Sequence, residues 1–93
     1  MRAPLQKLTR DEALREIETF IVELDAGWQK DGLDWAPELL IILREFCRVS
    51  QVEQLLALRT RLHHFLSVRR LKGISFLLTW ADAVVESYEK PVA

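Results

Sequence analysis

Four apolar stripes at helical spacing run through this chain, each cut off from the next by a stop or start signal, and no segment alternates as a strand would. In the first, Leu14, Ile17, Phe20, Ile21, Leu24 and Trp28 recur every three or four residues. Asp11, Glu12, Arg15, Glu18, Glu23 and Asp25 take the opposite side. Thr9 and Glu12 are spaced as a capping box, in which hydroxyl and carboxylate satisfy orphan amides of the first turn. Gly32 supplies the left-handed residue that ends such a helix.

A second helix is expected to begin around residues 35–37, with Asp34 as one candidate N-cap. Pro37 then falls in the first turn, where its missing amide costs little. Residues 39–43, with Phe46, Cys47 and Val49, are apolar over about half the helical wheel. Ile41 lies outside even that arc, beside Arg44, Glu45 and Arg48. An arc this broad belongs either to the central member of a bundle or to an oligomer interface. Leu40, Ile41, Arg44 and Arg48 are the residues of that interface under the second reading, a homodimer.

Ser50 and Glu53 repeat the capping-box spacing at the head of a third helix. Its stripe is Leu55, Leu58, Leu62 and Phe65, widened by Leu66. Regular continuation puts Arg69 at the centre of that stripe, and burying an unpaired guanidinium is costly. The chain is therefore expected to break between Ser67 and Gly73, in a short turn or one extra turn of helix that throws Arg69, Arg70 and Lys72 outward. The fourth helix carries Leu77, Trp80, Ala81, Val84 and Tyr88 inside, with Asp82, Glu86 and Glu89 outside. Trp28 and Trp80 read as core. Trp35 either staples the first corner together with Leu33 or stands exposed as an interface anchor.

The fold class is all-α: a compact four-helix bundle, antiparallel or orthogonal, with a short extra turn at 67–73. Ninety-three residues give one domain, 1–93, with an ordered core from about 9 to 90 and frayed ends at 1–8 and 91–93. A chain of this size has a thin stability margin, which association with another chain would supplement. The single cysteine excludes an intramolecular disulfide. Residues 1–8 lack the apolar core of a signal peptide, and the longest apolar run is five residues. These features point to the cytoplasm and away from a membrane.

Charge is segregated along the chain. Residues 1–53 carry a net −4, residues 54–81 hold no acid and carry +5, and the last twelve residues return −2. The basic window contains Arg59, Arg61, Arg69, Arg70 and Lys72, with His63 and His64 among them. It has three readings: an internal complement to the acidic face of the first helix, a dock for an acidic protein, or a contact to nucleic-acid phosphates. A pI near 6.1 and the lack of interleaved aromatics weigh against dedicated nucleic-acid binding.

No residue pattern identifies an enzyme. Adjacent helical residues point about 100° apart, so His63 and His64 cannot chelate one ion, and neither has a ligand partner a turn away. They read as solvated, with a pH-sensitive or phosphate contact as the alternative. Cys47 reads as a small buried hydrophobe. The serines lie outside any nucleophile elbow, and three scattered glycines make no phosphate loop. A small helical enzyme that grips an anion with Arg59, Arg69, Arg70 and Lys72 remains a minor alternative, without an identifiable base.

The sequence thus points to a non-enzymatic interaction module: an adaptor, an inhibitor or a small subunit. It needs no metal or cofactor. It binds a protein partner through the surface at 59–72, through the acidic face of the first helix, or through both. The alternative is a helical subunit of a nucleoprotein complex.

Overall fold

The computed structural model describes residues 8–89. Of the ends expected to fray, 1–8 and 91–93, residues 1–7 and 91–93 lie outside them, while Leu8 is half-buried against the core. Helices α1 (Arg10–Asp31), α2 (Ala36–Arg48), α3 (Val52–Val68) and α4 (Phe76–Glu89) follow in chain order. A one-turn 3-10 helix, Lys72–Ile74, links the last two.

The Thr9–Glu12 box starts α1 as its spacing requires. The Thr9 N–H donates to Glu12 Oε1 at 2.9 Å, and the Glu12 N–H donates to Thr9 Oγ1 at 3.1 Å. At the other end Gly32 takes φ 70°, and two nested bonds close the helix. The Leu33 N–H reaches the Trp28 carbonyl at 3.0 Å and the Gly32 N–H reaches that of Gln29 at 3.3 Å.

Two other caps differ from expectation. The residue before α2 is Trp35, already in a helical backbone conformation, and Asp34 does not cap it. Two turn residues beyond Gly32 are spent reaching α2, so Asp34 sits one position too early. Trp35 packs half-buried on the core and fills the corner instead. The Ser50–Glu53 box does not form either. Gln51 is the N-cap of α3 and offers no side-chain bond. Val49 is pinned against the core, the chain stays extended through Gln51, and the helix begins one residue late. That shift moves Glu53 from the third helical position to the second, where a box with Ser50 cannot close.

The break before Arg69 is present: α3 stops at Val68 and the 3-10 turn follows. Neither Ser67 nor Gly73 supplies the left-handed residue there. Arg70 does, with φ 56°.

α1 packs on α2 and α4, and α3 packs on the same two helices, so α1 and α3 stand diagonally across the bundle. Neighbours run antiparallel. Arg10 and Phe20 of α1 meet Tyr88 and Phe76 of α4, so one sequence descends as the other rises. Glu38 of α2 meets Arg69, just past the end of α3, while Glu45 and Val49 lie beside Arg61 and Gln54. This is the four-helix bundle expected.

α2 buries Ala36, Leu39, Leu40, Ile42, Leu43 and Phe46, more than α1 with Ala13 and Ile17. Most of the α1 stripe, including Leu14, Phe20, Ile21 and Leu24, is only half-buried against the core. Trp80 and Tyr88 are likewise half-buried on α4, where Leu77, Ala81, Val84 and Val85 make the inner face.

The two capping-box sequences make a direct comparison. Thr9→Ala is expected to cost about 1 kcal/mol of unfolding free energy. Ser50→Ala is expected to stay within about 0.5 kcal/mol, because its hydroxyl caps nothing. Urea titration of both variants checks the difference.

Candidate interaction surfaces

The acid-free window folds into most of α3, the link after it and the start of α4. Its cations are not gathered into one patch. On α3, Arg59 and His63 lie on the flank toward α4, around a shallow pocket of about 320 Å³ shared with Thr60 and Asp82. Arg61 lies on the other flank, beside Glu45 and Val49 of the α2 side.

Two of the seven predicted residues are committed inside the molecule. Arg59 Nη1 stands 3.4 Å from Asp82 Oδ1 of α4, with the arginine half-buried. Arg69 Nη2 donates to Glu38 Oε1 of α2 at 2.9 Å, and its guanidinium lies 4.4 Å from the centre of the Phe65 ring. The chain therefore does place Arg69 over the apolar stripe, but at the rim, with a carboxylate and an aromatic face as partners. Both pairs are exposed enough that each is worth at most about 1 kcal/mol.

Arg61, His63, His64, Arg70 and Lys72 are exposed, and no ion pair holds them among the described residues. Arg61, His64 and Val68 follow one another at three- and four-residue spacing and form one exposed side of α3, running from its α2 flank to its outer face. Val68 is 59% exposed, so this face has an apolar centre next to basic side chains.

Arg70 occupies an unusual position. The Leu71 N–H reaches the Leu66 carbonyl at 3.0 Å, and the Arg70 N–H reaches that of Ser67 at 3.2 Å. These are the same nested bonds that close α1. There the left-handed residue is Gly32, and here it is an arginine. A side chain in that conformation costs on the order of 1 kcal/mol relative to glycine.

The acids of α1 do not meet the window. Asp25 Oδ2 lies 3.6 Å from Arg44 Nη2 of α2, and α3 is across the bundle. The reading of the window as an internal complement to α1 thus lacks the contact it requires.

A second surface lies between α1 and α2. Ile21 and Val22 from α1 and Ile41 and Cys47 from α2 line a groove of about 550 Å³, with Glu18, Arg44, Glu45 and Arg48 on its edges. Ile41 is 54% exposed, as its place outside the apolar arc implies. Leu40, expected at the same interface, is covered by the chain itself at 3% exposure and is not available to a partner. Burial pushes the Cys47 thiol above its ordinary range, and the nearby Glu18 charge adds to the effect. Cys47 is accordingly held as a protonated thiol at neutral pH and is a poor nucleophile.

Sequence reasoning passed over two of these features. Val22, 67% exposed, is an apolar residue on the charged side of α1, and that misplacement was the available signal. Phe76, 42% exposed, meets Phe20 edge-on with centroids 5.8 Å apart and Trp80 at a tilt with centroids 4.9 Å apart. It precedes the first residue assigned to the α4 stripe, and its four-residue spacing to Trp80 was the available signal.

Among the described residues no cluster of His, Cys, Asp and Glu is arranged to hold a metal, and no helix is long and apolar enough to cross a membrane. In comparisons with known proteins, no family model, curated protein or solved structure matches this chain.

Arg70→Gly is expected to raise the unfolding free energy by about 0.5–1 kcal/mol, because glycine relieves the left-handed backbone and no ion pair among the described residues is lost. Urea unfolding measures the gain.

Proposed function

We propose that the protein is a non-enzymatic interaction module that docks an acidic surface of a protein partner through the outer face of α3 and the turn after it. Arg61, His64, Arg70 and Lys72 are the contact cations, with Val68 as the apolar centre. Arg59 and Arg69, both paired within the bundle, are left out of this contact set. The observation that carries this reading is Arg70: an arginine stands where the backbone favours glycine, and its guanidinium has no ion-pair partner among the described residues. Charge complementarity of this kind steers encounter and selects partners. The module works in a reducing compartment, the cytoplasm, without a cofactor.

A separate observation, the exposure of Ile41, supports a second reading in which the protein also self-associates as a homodimer through the α1–α2 side.

Affinity capture from the native host, with nuclease treatment, tests the docking surface. Wild-type protein is expected to retain a nuclease-resistant protein partner that the triple variant Arg61→Glu, Arg70→Glu, Lys72→Glu loses, with helical circular dichroism unchanged. Arg70→Gly is expected to weaken capture although it stabilises the fold. Capture that survives the triple variant contradicts the reading. Loss of the partner on nuclease treatment, with capture falling steeply between low and moderate salt, assigns the surface to nucleic-acid phosphates instead.

A further inference from the structure

The α1–α2 groove combines two features that single out its occupant. Val22 and Ile41, the most exposed of its apolar residues, are 67% and 54% exposed, more than scattered surface hydrophobics on an otherwise charged wall require. Its two edges also differ in charge. The α1 edge carries Glu18, whereas the α2 edge carries Arg44 and Arg48, with Glu45 bonded to Arg48. Glu18 and Cys47 line the groove from its two helices, near enough for the Glu18 charge to act on the thiol. A rim holding both signs in equal number fits neither a uniformly acidic nor a uniformly basic partner, and it does fit itself.

We propose that this groove is a self-association surface whose occupant is the same groove of a second copy, the two related by a two-fold axis that runs along the groove. The proposal rests on the self-association reading above and assigns its contacts. An axis in that direction lays the α1 edge of each copy against the α2 edge of the other, because rotation exchanges the two edges across the interface. Glu18 then faces Arg48 of the partner subunit, and the contact occurs twice. Val22 and Ile41 of each copy close over the apolar floor of the other. An axis running across the groove sets α1 against α1, where the facing edge offers Glu18 no cation to pair with.

Sedimentation of the full chain up to hundreds of micromolar tests both levels. Wild-type protein is expected to form dimers. Val22→Glu and Ile41→Glu are each expected to weaken dimerisation by about tenfold or more, with unfolding midpoints little changed because both side chains are largely exposed. Ile41→Thr serves as the milder variant, with the same direction expected, should the glutamate impair folding. Glu18→Arg and Arg48→Glu are each expected to weaken the dimer, and the two together to restore it. A wild-type chain that stays monomeric overturns self-association altogether. A dimer that withstands Val22→Glu and Ile41→Glu leaves self-association standing and overturns the groove as its site. Single reversals that weaken the dimer without rescue in the double variant overturn the axis.

Discussion

The breadth of the α2 apolar surface governs the rest of this bundle. Leu39, Leu40, Ile42, Leu43 and Phe46 spread over too much of the helix to be covered from one side. α1 takes one flank and α3 the other, and α4 closes the square against both. Once α2 separates α1 from α3, the acidic first helix and the basic third helix cannot pair. Charge that is segregated along the sequence therefore becomes charge segregated in space.

Two unlike surfaces follow from that arrangement. Where charges of the two kinds do meet within the chain, they meet between neighbours: Arg59 with Asp82, Arg69 with Glu38, Arg44 with Asp25. These pairs are exposed and contribute little to stability. Burial of the apolar stripes carries the fold, and the remaining cations of α3 and the following turn are left to solvent or to a partner. The left-handed Arg70 fits this division, since it costs the fold stability that glycine would return. Cys47, protonated and half-buried, adds bulk to the α1–α2 groove and no evident chemistry.

Helix count, helix class and the break before Arg69 were legible in the sequence because each follows from period and from the cost of burying a guanidinium. The Thr9 cap was legible because nothing outside the first turn competes with it. Ser50 carries the same signal and fails, since the packing of Val49 delays the helix by one residue and local spacing cannot register a tertiary contact. Ile41 was visible as an exposed residue from the wheel alone. Leu40 was not visible as a buried one, because the wheel gives the width of an apolar arc and not which neighbours cover it. The split of the basic window into a paired flank and an open face depended in the same way on where α2 and α4 pack.

The central claim is that the acids of α1 and the cations of α3 do not attract one another within a single chain. Unfolding by urea across a range of sodium chloride concentrations tests it, in an Ile41→Glu background that keeps self-association out of the result. With the acids of α1 across the bundle from the cations of α3, and only exposed cross-helix pairs left to screen, stability is predicted to stay within about 0.5 kcal/mol or to rise as like charges are screened. A fall of about 1 kcal/mol or more between low and moderate salt would mean that the two surfaces attract each other inside the bundle, and would contradict the account.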